Sequence, residues 1–240
     1  MSTRLPSLRR PPIGFAHRGA RAHSRDNTIE SFTLALELGA TGLESDVWLT
    51  VDGVPVLDHD GVAGPRIRRQ PIGSVERRAL PAHIPTLEEL YATCGTAFEL
   101  SLDVKNAAAA ETVVAVARAA GEGVPGRLWL CHHDWETVAG WRAFGPDVKL
   151  VDSTRLRRIR EGAERRAARL ASAGVDAVNL HHTDWSGGLT TLFHRFDVLT
   201  FGWDCQYEHV LAGLLDMGID AVYSDHTDRM MDAIRFASEP

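Results

Sequence analysis

Two acidic residues, Glu44 and Asp46, lie two positions apart inside the apolar run GLESDV. Residues two apart on a β-strand point to the same side of a sheet, so both carboxylates project together and favour a cation between them. Asp103 and Lys105 repeat this spacing in a later run and add one anion and one cation. An isolated acidic pair is commonly only solvated, but the repeated spacing favours a divalent cation with oxygen ligands.

Two histidines could supply proton transfer beside such a cation. His17 ends the first apolar run, and His59 lies in the segment Asp58-His59-Asp60. Imidazoles titrate near neutral pH, so these two could remove and deliver protons during displacement at phosphorus. Arg18 offers a planar guanidinium fork that matches phosphate oxygens. Each residue alone has common structural roles, and it is their combination that predicts phosphodiester chemistry.

These side chains need a scaffold that gathers several strand ends at one place. Eight short apolar runs alternate with stretches of helical periodicity, which predicts β-α units and a parallel sheet. No glycine-rich phosphate loop of the kind found in open doubly wound sheets follows the first run. We therefore predict an α/β fold, a single-domain (β/α)8 TIM barrel over residues 13–240. The predicted strands are 13–17, 42–47, 98–104, 127–131, 148–152, 176–180, 197–201 and 220–224.

Three segments lie outside strict β-α alternation. A hairpin turning at Asp52-Gly53 follows the second strand, and residues 60–85 form a short insertion rich in glycine, proline and arginine. Residues 1–12 are predicted to be a loose N-terminal leader, without the apolar segment of a signal peptide. Catalytic side chains of such barrels collect at the carboxyl ends of the strands, where Trp203 would either line the pocket or serve packing.

Two pairs of adjacent histidines, at positions 132–133 and 181–182, follow predicted strands directly. Neighbouring residues on a strand point to opposite faces of the sheet, so the two imidazoles of a pair could not easily hold one ion. We therefore assign no metal to either pair.

The composition limits the classes of partner that the protein is expected to bind. The chain has 240 residues and a formal net charge of −6, from 26 basic and 32 acidic residues. This balance argues against nucleic-acid binding and a large anionic-membrane surface, and it is compatible with a small-molecule phosphodiester substrate. Cys94, Cys131 and Cys205 lack the spacing of disulfide frameworks or zinc sites. With no apolar run of about 18 residues, the sequence predicts a cytoplasmic protein without stable membrane insertion, and it leaves the oligomeric state open.

Nine ordered motifs run through the chain: His17-Arg18-Gly19, Asp26-Asn27-Thr28, Glu44-Ser45-Asp46-Val47, Thr50-x-Asp52-Gly53, His59-Asp60, Ile84-Pro85-Thr86-Leu87-Glu88-Glu89, Leu102-Asp103-Val104-Lys105, Gly202-Trp203 and Gly218-Ile219-Asp220-Ala221-Val222-Tyr223-Ser224-Asp225. They resemble the glycerophosphodiester phosphodiesterase family, of the phosphatidylinositol-phospholipase-C-like phosphodiesterase superfamily. The resemblance covers nearly the whole chain. It is dense over residues 14–60 and looser toward the C-terminus.

The resemblance implies a barrel hydrolase that cleaves glycerophosphodiesters to an alcohol and glycerol 3-phosphate. Its cofactor would be a divalent metal ion, Mg²⁺ or Ca²⁺. It implies acid and base roles for His17 and His59, metal binding by Glu44, Asp46 and Asp103, and phosphate binding by Arg18 and Lys105. The family usually has glutamate, which is one methylene longer, at the positions of Asp103 and Asp26.

Two other functions stay open at this level. One is a phospholipase of the same superfamily, of the lysophospholipase D or sphingomyelinase D type, and the other is a barrel that binds phosphodiesters without turnover. The insertion 60–85 contains no aromatic residue, which disfavours membrane insertion. The sequence does not decide the leaving alcohol, the preferred metal or which histidine is the acid. It also leaves open whether water or a substrate hydroxyl attacks phosphorus.

Overall fold

A computed structural model describes residues 4–64 and 68–238. The strands in this part of the chain are β1 (Ile13–His17), β2 (Gly42–Leu49), β3 (Pro55–Leu57), β4 (Val62–Ala63), β5 (Gln70–Pro71), β6 (Glu99–Val104), β7 (Leu128–His132), β8 (Lys149–Ser153), β9 (Ala177–His181), β10 (Leu199–Trp203) and β11 (Ala221–Ser224). The helices are α1 (Ile29–Glu37), α2 (Leu87–Cys94), α3 (Ala109–Ala120), α4 (Trp135–Gly140), α5 (Ala163–Ser172), α6 (Gly187–His194), α7 (Glu208–Asp216) and α8 (Thr227–Ser238). None of these helices has the length and apolar composition needed to cross a lipid bilayer.

Eight of the strands form a closed parallel barrel in the order β1-β2-β6-β7-β8-β9-β10-β11, because β1 pairs with both β2 and β11. This confirms the predicted (β/α)8 barrel, and each predicted strand boundary lies within two residues of the observed one. β3 returns antiparallel to β2, as the hairpin prediction required. The insertion contains the two-stranded ribbon of β4 and β5. Residues 65–67 of the insertion lie outside the described part of the chain. The same holds for residues 1–3 of the predicted leader and residues 239–240 of the predicted barrel domain.

Aromatic side chains fill the interior of the barrel below its open end. Phe15 stacks on Tyr223 with ring centroids 4.7 Å apart, and Trp129 meets Phe201 edge to face at 5.1 Å. All four side chains are buried, and a second, larger apolar layer lies between strands and helices. Side chains alternate along a strand, so the next inward residue of β1 after Phe15 is His17. The aromatic floor thus closes the interior and leaves the carboxyl ends of the strands available for polar groups.

Two threonines of the sequence motifs begin helices. The Thr28 hydroxyl accepts a hydrogen bond from the Ser31 N–H at the start of α1. Thr86 starts α2 in a capping box: its hydroxyl accepts from the Glu89 N–H, and the Glu89 carboxylate accepts from the Thr86 N–H. These hydrogen bonds give a structural reason for motif residues that do not face the barrel mouth.

Hydrogen bonds hold residues 5–9 of the N-terminal segment against the barrel domain. Asp220, fully buried just before β11, accepts hydrogen bonds from the Leu8 and Thr200 N–H groups, both at 2.7 Å, and lies 2.7 Å from His194 Nε2. Burial disfavours its charged form, but the hydrogen bond and charge of His194 and the backbone donors outweigh burial and lower the pKa of Asp220. One carboxylate therefore ties the N-terminal segment to β10 and β11.

We expect Asp220→Ala to lower the free energy of unfolding by about 3 kcal/mol, because it leaves several buried donors without an acceptor. A lowered folded-state pKa means that the stabilising contribution is present above the unfolded pKa, about 3.9, and is lost as pH falls through the folded pKa. The difference in unfolding free energy between variant and wild type, measured by urea unfolding, should therefore become smaller at acidic pH. Asp216→Ala removes a half-exposed ion pair with Arg4 and should change the unfolding free energy by less than about 1 kcal/mol. Equal losses in both variants would contradict this role of Asp220.

Candidate active site

A cavity of about 600 Å³ opens at the carboxyl ends of the barrel strands, a size that suits a small-molecule ligand. The strand register explains which side chains meet there: His17 is aligned with Glu44 across β1 and β2, and Asp46 with Asp103 across β2 and β6. The lining contains every residue for which the sequence predicts a role in the site: His17, Arg18, Glu44, Asp46, His59, Asp103, Lys105 and Trp203.

Glu44 and Asp46 form a buried acidic pair, 7% and 4% exposed. Burial raises the pKa of Glu44 to about 7, although the neighbouring His17 opposes the shift. The Arg18 N–H donates to Glu44 Oε2 at 2.9 Å. Asp46 Oδ2 is buried and has no hydrogen-bond partner among the described residues. A buried carboxylate oxygen that lacks a hydrogen-bond partner, such as Asp46 Oδ2, is a ligand suited to a hard cation such as Mg²⁺ or Ca²⁺, so the acidic pair fits the expected metal.

Lys105 links the carboxylates of Asp46 and Asp103. Its Nζ lies 2.8 Å from Asp46 Oδ1 and also contacts Asp103 Oδ2. Burial disfavours the ammonium, but the two carboxylates outweigh burial and raise the pKa of Lys105. The Asp103 side chain is 37% exposed, against 5% for Asp46. Asp103 is therefore the more open of the two, and the phosphate contact expected of Lys105 stays a prediction.

Glu44, Asp46 and Asp103 line one cavity without forming a compact ligand set. Within residues 4–64 and 68–238, the sets of at least three His, Cys, Asp or Glu side chains whose ligand atoms all lie within 4.8 Å are His23 with His226 and Asp228, and His181 with His182 and Asp204. The second set corrects the expectation that two adjacent imidazoles could not easily approach one ion. β9 ends at His181 and the chain enters a 3₁₀ turn at His182, which leaves the two rings 4.4 Å apart.

His17 lies between two carboxylates. Its Nδ1 is 2.5 Å from Asp225 Oδ1, and its Nε2 is 3.8 Å from Glu44 Oε2. Burial disfavours the imidazolium, but the charge of Glu44 and the hydrogen bond to Asp225 outweigh burial and raise the pKa of His17. Asp225 thereby orients the ring, and a histidine held by a carboxylate in this way is suited to exchanging a proton at Nε2.

Asp225 is a candidate functional residue to which the sequence argument gave no role. Ala16 on β1 is aligned with Ser224 on β11, so the next residues along the chain, His17 and Asp225, come side by side. The signal in the sequence was its position directly after the last apolar run, at the same barrel mouth as the other strand ends. Only closure of the barrel shows that its partner is the histidine of the first strand.

His59 lies on the rim of the cavity, in the loop after β3. Its side chain is 45% exposed, against 27% for His17, and its Nδ1 lies 2.9 Å from Asp60 Oδ1. The structure thus brings both histidines to the same cavity, but it fixes His17 more firmly than His59.

Arg18 extends from a left-handed turn toward the acidic pair. Its φ is 54° and that of Gly19 is 80°, which directs the Arg18 N–H back to Glu44. Its Nε is 3.6 Å from Asp46 Oδ2 and lacks a hydrogen-bond partner in the described part of the chain. A guanidinium terminal nitrogen, Nη1, is 3.4 Å from Asp26 Oδ2, so the acidic residue at position 26 helps to place the side chain. A buried N–H without a partner at a cavity wall can donate to a phosphate oxygen.

The family model described as "Glycerophosphoryl diester phosphodiesterase family" matches residues 17–229. Short segments are also similar to curated proteins. Identity is 53% over 45 residues with a glycerophosphodiester phosphodiesterase of Caldanaerobacter subterraneus, which is 19% of this chain and 18% of that protein. It is 49% over 49 residues with glycerophosphodiester phosphodiesterase domain-containing protein 4 of Mus musculus, which is 20% of this chain and 8% of that protein. The matched segment therefore spans less than a fifth of either relative.

Solved structures are similar over most of the chain. The glycerophosphodiester phosphodiesterase of Thermotoga maritima has a TM-score of 0.78 at 20% identity, with 92% of this chain and 97% of that chain covered. An Oleispira antarctica phosphodiesterase, solved in complex with the product sn-glycerol-3-phosphate, has a TM-score of 0.79 at 20% identity, with 93% and 97% covered. These likenesses show the shared barrel fold, and the family model spans most of the chain. The chain therefore belongs to the glycerophosphoryl diester phosphodiesterase family.

Proposed function

We propose that this protein hydrolyses glycerophosphodiesters to an alcohol and glycerol 3-phosphate with the help of a divalent metal ion. The observation that carries the proposal is that the buried pair Glu44 and Asp46 lies beside the His17–Asp225 pair at one cavity. Phosphodiester hydrolysis needs positive charge near the non-bridging oxygens and a proton for the leaving oxygen. Family membership supports this function, and the Oleispira antarctica relative holds the product expected here.

The negative charge of the phosphodiester would be balanced by the metal and by the guanidinium of Arg18. Glu44 and Asp46, with Asp103 as the more exposed third ligand, would hold Mg²⁺ or Ca²⁺, which when bound supplies positive charge at the phosphate. Arg18 would donate its buried Nε–H to a non-bridging oxygen, since this group has no partner within the described residues.

His17 and His59 would divide the proton transfers. One takes the proton of the attacking hydroxyl as the new O–P bond forms, and the other gives a proton to the leaving alcohol oxygen as its P–O bond breaks. Asp225 would keep Nε2 of His17 directed at the cavity. If water attacks, glycerol 3-phosphate forms directly; if a neighbouring substrate hydroxyl attacks, a cyclic phosphate forms first and water then opens it.

A substrate panel tests the proposal. Glycerophosphocholine, glycerophosphoglycerol and glycerophosphoinositol are incubated with Mg²⁺, Ca²⁺ or Mn²⁺, and glycerol 3-phosphate is measured in a coupled assay while phosphorus NMR follows any cyclic phosphate. We expect release of glycerol 3-phosphate from at least one diester. Turnover of lysophosphatidylcholine or sphingomyelin alone would favour the phospholipase alternative. Binding of the diesters without turnover would favour the non-catalytic barrel.

We also propose that the protein works in the cytoplasm on small, water-soluble diesters. Cys94, Cys131 and Cys205 are all free thiols in the structure. Free, partly or fully buried thiols are typical of proteins that stay in a reducing compartment. Fractionation of cells that express the chain with a C-terminal tag would check the location, and recovery outside the cytoplasmic fraction would contradict it.

A further inference from the structure

The candidate catalytic groups occupy only one half of the barrel mouth. Apart from His59 in the loop after β3, they lie on or directly after β11, β1, β2 and β6, which are consecutive neighbours in the closed sheet. The other half is formed by β8, β9, β10 and the loops that follow them, and it lines the same cavity. We call this half the distal wall; the residues that matter here are Ser153, Arg157, Arg158, Asn179 and Trp203. A phosphodiester carries two alcohol groups esterified to phosphorus, called its arms here, so one of these groups can extend toward the distal wall.

Asn179 gives the distal wall a buried acceptor. Its side chain is 6% exposed and lies on β9 at the cavity lining. Its Nδ2 donates to Ser153 Oγ at 3.2 Å, while its Oδ1 is buried with no hydrogen-bond partner in the described part of the chain. A buried carbonyl oxygen without a donor is unfavourable, and a ligand hydroxyl that enters the cavity can supply the missing hydrogen bond.

The loop after β8 is anchored by its first arginine. Arg155 Nε and Nη2 lie 2.6 and 3.3 Å from the carboxylate of Asp184, and the guanidinium stands 5.7 Å from the centre of the Trp203 ring. The Leu156 N–H donates to the same carboxylate at 3.1 Å. These bonds fix the 3₁₀ turn that follows, Leu156–Arg158, at the cavity edge.

Arg157 and Arg158 differ from Arg155 because they have no acidic partner among the described residues. Both are exposed and line the cavity, and neither makes an ion pair within 4 Å among residues 4–64 and 68–238. In a chain of net charge −6, two guanidinium groups at a cavity edge that have no acidic partner in the described part of the chain form a local positive field. A glycerol arm is uncharged and would leave both without a partner, whereas a phosphate group would accept hydrogen bonds from them.

We propose that the distal wall is a subsite for a leaving alcohol that carries both hydroxyl groups and a negative charge, as a phosphorylated polyol does. Asn179 accepts a hydrogen bond from a polyol hydroxyl, Arg157 and Arg158 bind the phosphate group, and the Trp203 ring covers the carbon face of the polyol. The inference rests on the proposed function, since it names the second arm of the same substrate. It assigns the substrate class that the catalytic half of the mouth leaves open.

Two substrates that differ by one phosphate group test the subsite. We expect wild type to have about tenfold higher kcat/KM for glycerophosphoinositol 4-phosphate than for glycerophosphoinositol, and Arg157→Gln/Arg158→Gln to bring this ratio close to one. The preference for the phosphorylated substrate should also decrease as the salt concentration rises, because salt screens the charge of exposed guanidinium groups. Arg160→Gln is the matched control: Arg160 lies in the same loop and is exposed, but it does not line the cavity. It should leave the ratio within twofold of wild type.

Calorimetry with inositol 4-phosphate, the leaving alcohol, separates failure of the subsite from failure of the proposed function. If no diester is hydrolysed but the double variant raises the Kd for inositol 4-phosphate at least fivefold relative to Arg160→Gln, the subsite stands and the proposed function falls. Asn179→Leu, which removes the acceptor at similar volume, should also raise this Kd, with a melting curve to verify folding. Equal Kd values for inositol 4-phosphate in the double variant and the Arg160 control would overturn the subsite, whether or not the diesters are hydrolysed.

Discussion

Replacement of His17 by alanine is expected to lower kcat/KM for glycerophosphodiesters by about 10²–10⁴-fold, the range that one general acid or base contributes. The expectation rests on geometry: Nδ1 is held by Asp225 at 2.5 Å, so Nε2 faces the cavity beside Glu44. His59→Ala should lower the rate within the same range, although its more exposed ring is less firmly placed. Initial rates together with thermal melting by circular dichroism measure both effects.

A surface histidine provides the matched control for His17. His23 pairs with Asp228, is 38% exposed and does not line the cavity, so His23→Ala should stay within about twofold of wild type. Asp225→Asn keeps the imidazole but removes the carboxylate that orients it, and it should lower kcat more than it raises KM. Near-normal turnover in both His17→Ala and His59→Ala, with folding intact, would remove the two histidines from the mechanism.

Removal of the metal is expected to have an effect of comparable size. Treatment with a chelator should lower turnover at least about 10²-fold, and added Mg²⁺ or Ca²⁺ should restore it. Asp46→Asn removes one of the two carboxylates of the buried acidic pair. The Oδ2 atom of Asp46 has no hydrogen-bond partner within the described residues. Calorimetric titration with Mn²⁺ should show a Kd raised at least about tenfold in this variant. Turnover that is unaffected by the chelator would contradict metal dependence.

The set of His181, His182 and Asp204 provides the control for the position of the metal. His182 belongs to this set but does not line the cavity, so His182→Ala disrupts the set without touching the acidic pair. We expect this variant to bind the catalytic ion and turn over substrate within about threefold of wild type. Loss of metal-dependent turnover in His182→Ala, together with normal turnover in Asp46→Asn, would indicate that the catalytic metal binds at the end of β9 and not at β2.

The sequence by itself determined the framework of this protein. Alternation of short apolar runs with helical stretches predicted the eight barrel strands within two residues, because strand and helix periodicities depend on local residue order. The Asp52-Gly53 turn predicted the hairpin of β2 and β3 for the same reason. The spacing of Glu44 and Asp46 required both side chains to lie on one side of β2, and the barrel rule placed them at the mouth.

Only the tertiary structure decided which of the gathered side chains touch. Asp225 meets His17 because ring closure aligns the last strand with the first, a contact between residues 208 positions apart. Lys105 lies against Asp46, and His181 lies beside His182, through loop and strand-end geometry that residue spacing does not encode. The exposure of Arg157 and Arg158 at the distal wall depends likewise on which acidic residues reach the loop after β8. Local periodicity fixes where an element begins and which face it buries, whereas pairing between distant elements depends on strand register and on the packing of the whole chain.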